Sequence, residues 1–160
     1  PETTLTTTSN YLSFCEYIQR ELKKTGLNIK VDVVPASALK EAKANGKTAL
    51  FRASWVADYP DAENYLSLFY SKNFAPNGPN YTHFKNEQFD LWYEQAFMKN
   101  NAHERELLYA KMDSLVIQEA PIIPMFYDEV VRFTRKNING LGINPINLLD
   151  LRHVKKDTIN

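Results

Sequence analysis

The sequence predicts an α/β fold built on a βαβαβ unit, followed by C-terminal helices and a returning extended segment. Three observations predict it. β-Branched runs at residues 2–7 and 27–34 read as strands, and residues 48–56 as a third. Two helical stretches separate them, the first with its apolar residues on one stripe. After residue 60 the period changes to helices and then to an apolar extended run. Strand, helix, strand, helix, strand at this spacing calls for parallel strands with right-handed crossovers. A length of 160 residues fits one domain.

The elements follow in order. Residues 2–7 read as the first strand, and Thr8 or Ser9 is placed to cap the next helix. From Asn10 to Lys24 the apolar positions are Tyr11, Phe14, Cys15, Ile18 and Leu22, one helical face, and Gly26 stops it. Cys15 lies on that face and is expected in the core. Leu27 to Val34 alternates as a second strand, ended by Pro35. Ser37 is placed to cap a short helix through Asn45, with Gly46 in the left-handed position after it. Thr48 to Val56 reads as the third strand.

Beyond it, Tyr59 to Glu63 turns into a short helix over about 62–69, and residues 71–82 form a loop rich in Asn, Pro and Gly. Asn86 caps a helix carrying Phe89, Tyr93, Ala96 and Phe97 on one face. Asn101 with Glu104 resembles a capping box, followed by Leu108, Met112, Leu115, Val116 and Glu119 at helical spacing. Pro121 ends that helix. Ile122 to Phe133 is apolar and extended. Turns are expected at Asn139-Gly140 and Asn144-Pro145, before an alternating end at 149–154.

Composition narrows the function. Apolar residues make up 44% and charged residues 24%, too apolar for a disordered chain. The 19 Lys and Arg balance 19 Asp and Glu, so no net charge draws the chain to nucleic acid or an anionic membrane. One cysteine excludes an intramolecular disulfide framework. The five glycines form no phosphate-binding loop, and the three histidines have no metal-ligand spacing, so no cofactor or metal is expected. No nucleophile, base and orienting group assemble into a catalytic motif. Acid pairs such as Asp58 with Asp61, or Asp128 with Glu129, leave a carboxylate-dependent hydrolase as an alternative. The chain opens at Pro1 with no Met, signal peptide or lipidation sequence; this predicts that residues 1–160 are a fragment of a longer protein, without a second complete domain.

The most informative stretch runs from Arg52 to Asp61, where an apolar strand enters an acidic, aromatic turn. In a parallel α/β sheet, ligands bind beyond the carboxyl ends of the strands, and Asp58 would sit there. Alternation puts Arg52, Ser54, Val56 and Asp58 on one side and Trp55 on the other, with Arg52 about 20 Å behind Asp58 at ~3.3 Å per residue. A carboxylate suits a cationic ligand group and a guanidinium an anionic one. Together they describe a zwitterion such as a short peptide. On spacing alone an alternative stands: Asp58 caps the helix near Ala62, and Arg52 pairs with a core acid.

Trp55-Val56-Ala57-Asp58-Tyr59-Pro60-Asp61 resembles the W-x-A-D-Y-P-D signature of the bacterial extracellular solute-binding proteins of family 5, the dipeptide- and oligopeptide-binding proteins of ABC importers. The resemblance continues through residues 80–90, Glu104 to Tyr109 and Glu119 to Tyr127. Four motifs in order fit the family's C-terminal domain over roughly residues 1–155. Glu87 and Phe84 depart from the pattern, both at a helix start.

The resemblance implies one lobe of a two-lobed periplasmic-binding-protein fold, with the ligand in the cleft between lobes. It implies that Asp58 holds a peptide's α-ammonium and that Ser54 to Val56 offer backbone groups to an extended peptide. Arg52 would reach a carboxylate, Trp55 would line a side-chain pocket or pack under the sheet, and Tyr59 and Tyr81 would border the cleft. Tyr109, Phe126 and Tyr127 would be core or lobe interface. The implied partners are a short peptide, the N-terminal lobe of the same protein and a membrane permease. The implied location is periplasmic or extracytoplasmic, with any anchor upstream. Family members also bind nickel complexes, haem or sugars, so the ligand class stays open here.

Overall fold

The computed structural model describes residues 3–144 and 148–158. Glu2 of the first expected strand and Pro145 of the expected Asn144-Pro145 turn lie outside the described residues. Three parallel strands, β1 (Thr3–Thr7), β2 (Ile29–Val33) and β3 (Leu50–Phe51), form a sheet in the order β2-β1-β3. Thr3 pairs with Ile29 and Thr7 with Val33, while Leu5 and Thr6 pair with Leu50 and Phe51. The expected βαβαβ unit is thus present, with β1 central.

Helix α1 (Leu12–Lys24) packs its stripe on this sheet. Leu5, Cys15 and Ile29 are buried together, flanked by Phe14, Ile18, Leu22, Val31 and Leu50. Gln19 Nε2 also donates to the Ile29 carbonyl at 2.7 Å. The helix ends in a Schellman motif: Gly26 N bonds Lys23 O and Leu27 N bonds Leu22 O, with Gly26 at φ +88°. Helix α2 (Ala36–Ala44) ends the same way, through Gly46 at φ +63°. Both glycines therefore stand where a left-handed residue is required.

Two N-terminal caps differ from expectation. Thr8 and Ser9 do not cap α1, because a 3-10 turn over Ser9–Tyr11 intervenes and Tyr11 takes the cap position without a side-chain bond. Ser37 lies inside α2, which begins after Pro35. A proline whose carbonyl accepts Leu39 N starts this helix with no hydroxyl cap.

The third strand is shorter than its composition suggests. Arg52 N still bonds Thr6 O at 3.1 Å, but residues 52–57 pair with nothing further. The reason is its neighbour: β1 ends at Thr7, and Thr8 already turns away. Composition favours extension, but a ladder needs a partner.

Residues 62–119 build a second core. Helix α3 (Glu63–Leu66) runs into a 3-10 turn (Ser67–Phe69), and helices α4 (Glu87–Phe97) and α5 (Ala102–Glu119) pack against each other. Leu66, Phe69, Phe89, Tyr93, Ala96, Leu108, Met112 and Val116 are its buried residues. Asn86 and Asn101 cap α4 and α5 as expected, each Oδ1 accepting two backbone N–H groups. The expected capping box is not closed by Glu104, whose carboxylate pairs with Lys99 at 2.7 Å instead. The loop over 71–82 is pinned by Asn80, fully buried, which donates to the Tyr70 and Phe84 carbonyls.

Residues 122–133 are exposed or nearly so and form no strand among the described residues. Tyr127 is 92% exposed and Phe133 95%, so the expected core role of Tyr127 is not met within this chain. Phe126 does touch Phe14, edge to face at 5.5 Å. The tail closes in a small antiparallel pair, β4 (Ile138–Asn139) with β5 (Lys155–Lys156). Among the described residues no helix is long and apolar enough to cross a membrane.

Candidate functional site

The segment from Arg52 to Asp61 leaves the sheet at the carboxyl end of β3, the edge strand. Asn64, on α3 and 4% exposed, fixes its far half. Its Oδ1 accepts from Trp55 Nε1 at 2.7 Å and from the backbone N of Asp58 at 3.2 Å. Trp55 is thereby half-buried and directed at α3. Asp58 is exposed, and its carboxylate makes no hydrogen bond or ion pair with any described residue.

The first N–H of helix α3 is met by a different acid. Asp61 Oδ1 accepts Glu63 N at 2.9 Å, and its Oδ2 lies 3.5 Å from Arg105. The alternative in which Asp58 caps this helix does not hold, because Asp61 stands two residues before the N–H groups to be satisfied. That commitment also removes Asp61 as a free acid beside Asp58.

Tyr59 donates its hydroxyl to Glu63 Oε2, and Tyr93 donates to Glu63 Oε1. The Glu63 bond holds the Tyr59 phenol above its ordinary pKa; burial, then the same carboxylate, raises Tyr93. Glu63 thus ties the turn after Asp58 to the helical core. Val56 is 69% exposed.

The near half of the segment has other surroundings. The Arg52 guanidinium lies 3.3 Å from the Tyr11 ring centroid and donates to Ser54 Oγ at 3.1 Å. It pairs with no carboxylate among the described residues, so the expected alternative of a core acid partner fails. Arg52, Ala53 and Ser54 line a hollow of about 270 Å³ with Thr8, Tyr11, Lys40 and Lys43. Lys43 Nζ lies over the Tyr81 ring at 4.8 Å and the Phe51 ring at 5.5 Å. Burial lowers its pKa, reinforced by Arg52 and Lys40.

Arg52 and Ser54 therefore meet in one place, and Trp55 and Asp58 share Asn64 in another. Sequence reading missed Asn64, Glu63 and Lys43. Lys43 did leave a signal: it stands four residues after buried Leu39, on the helix face where an apolar residue is usual.

The family model of the bacterial extracellular solute-binding proteins, family 5 Middle, matches residues 2–77. The chain is 27% identical over 128 residues to the probable deoxycholate-binding periplasmic protein YgiS of Escherichia coli K12, covering 79% of this chain and 23% of YgiS. It is 29% identical over 137 residues to the E. coli K12 glutathione-binding protein GsiB, covering 81% and 27%. It thus spans about a quarter of each of these curated relatives. The E. coli murein tripeptide binding protein MppA shares the fold over 97% of this chain and 30% of its own, with a TM-score of 0.82 and 23% identity. The periplasmic binding protein DppA from Helicobacter pylori, in complex with the peptide STSA, matches over 75% and 24%, with a TM-score of 0.68 and 29% identity. The mixed α/β architecture is that of the periplasmic binding proteins, and over residues 2–77 the chain is similar to the bacterial extracellular solute-binding proteins, family 5.

Proposed function

We propose that this chain is the C-terminal lobe of the substrate-binding component of an ABC importer, and that it holds a short peptide by its α-ammonium at Asp58. The observation that carries this reading is the Asp58 carboxylate itself: exposed, unpaired among the described residues, and set on a backbone that Asn64 fixes. Such a group is preorganised for a cation and loses no internal partner on binding.

The open edge after Phe51 supports the rest. Residues 53–57 have backbone unpaired among the described residues, suited to adding an extended peptide as a strand. Ser54 to Val56 are the residues assigned to that pairing, with Trp55 and Tyr59 flanking it. GsiB and DppA, whose names and complex give peptide ligands, favour an amine-bearing ligand; deoxycholate, named for YgiS, has no amine for Asp58 to hold. The protein acts by binding rather than catalysis, outside the cytoplasmic membrane and with a permease as partner. The exposed apolar residues of 122–133 suit contact with an N-terminal lobe.

Calorimetry on the full-length protein tests the reading. Removing one partner of a charge pair that lobe closure buries costs about 2–5 kcal/mol. Asp58→Ala is therefore expected to weaken di- to pentapeptide binding at least tenfold, by ~1.4 kcal/mol per decade. Unchanged affinity refutes the ammonium role.

A further inference from the structure

Among the described residues, the hollow beside Arg52 is lined by three cations and no anion. Arg52, Lys43 and Lys40 all line it, and none pairs with a carboxylate among the described residues. Aromatic faces hold two of them instead: Tyr11 beneath Arg52, and Tyr81 and Phe51 beneath Lys43. Such contacts orient a cation without cancelling its charge. The like charges repel, and Lys43 is half-buried as well, so the arrangement is costly until an anion arrives. The hollow opens at the carboxyl ends of β1 and β3, where Thr8 and Arg52 leave the sheet, and ligands of parallel sheets bind at such a place.

We propose that this hollow is an anion subsite in which Lys43 and Arg52 together hold an acidic side chain of the bound peptide, making acidic peptides the preferred ligands. The inference rests on the peptide-binding reading above and adds a ligand class to it. One guanidinium is enough for a terminal carboxylate; the two further lysines from α2 are the excess that a second carboxylate matches. Arg52 offers a planar fork already aligned by Tyr11 and Ser54 Oγ, and Lys43 offers a point charge from α2.

Calorimetry on the full-length protein, with alanine tripeptides carrying a single Glu at each position in turn and the matching Gln peptides, tests this. Each peptide is used with a free and with an amidated carboxyl terminus. At one position Glu is expected to bind about fivefold or more tighter than Gln, with either terminus. That ratio is expected to fall to near one in Lys43→Met; taking the ratio cancels any general effect of the substitution on the fold. Equal Glu and Gln affinities at all three positions overturn the subsite. A Glu preference that survives Lys43→Met also overturns it. A preference lost on amidation assigns the hollow to the terminal carboxylate and overturns the side-chain assignment. If Gln peptides bind and only the ratio fails, the peptide-binding reading stands; if none binds, both fall.

Discussion

Asn64 and Trp55 are joined by a 2.7 Å hydrogen bond from the indole Nε1 to the amide Oδ1, and the same oxygen accepts the backbone N–H of Asp58. A single buried atom therefore sets both the tryptophan and the peptide unit that carries the proposed ligand carboxylate. Asn64→Leu removes that acceptor and leaves the two donors to find water. The expected cost is about 1–3 kcal/mol, read as a lower denaturation midpoint with a changed tryptophan emission. A variant with wild-type midpoint and emission contradicts the anchoring role.

Burial within the helical core predicts a second cost. Met112 is fully buried among the residues of α4 and α5. Met112→Ala is expected to destabilise by about 2–5 kcal/mol, because the removed atoms leave a cavity that the two helices close only in part. Denaturant unfolding measures it, and a loss well under 1 kcal/mol would place Met112 outside a packed core.

Alkaline pH loosens the same region. Tyr93 is raised above its ordinary 10.0 by burial and by Glu63, and Tyr109 is pushed up to about 12 by burial and by Asp61. The folded state keeps phenol protons that the unfolded state releases. This contribution to stability is complete below about pH 10 and is lost as pH rises through the folded values. The tyrosinate absorbance difference between wild type and Tyr93→Phe is expected to appear only as the protein unfolds. A Tyr93 signal that titrates with the exposed tyrosines contradicts the Glu63 bond.

Local signals carried much of the architecture. The stripe of Phe14, Cys15, Ile18 and Leu22, the left-handed Gly26 and Gly46, and the caps Asn86 and Asn101 are written in spacing and residue type, and the structure places them as read. Features that depend on a partner element were not legible. Thr48 to Val56 reads as a strand throughout, yet among the described residues only Leu50 and Phe51 form ladder pairs, because β1 is short. Asn64 reads as an ordinary polar residue of a short helix until Trp55 folds onto it. The run of 122–133 read as apolar and extended, and among the described residues it stands largely exposed, with Phe126 edge to face on Phe14.

The ammonium contact at Asp58 is the centre of the account, and a matched pair of ligands tests it without altering the protein. The full-length protein is titrated with one peptide bearing a free amino terminus and with the same peptide N-acetylated. Acetylation removes the charge that Asp58 is proposed to meet and leaves the strand-forming backbone intact. The account predicts at least tenfold weaker binding of the acetylated peptide, on the order of 2–5 kcal/mol for a buried partner lost. Equal affinity for the two peptides contradicts it.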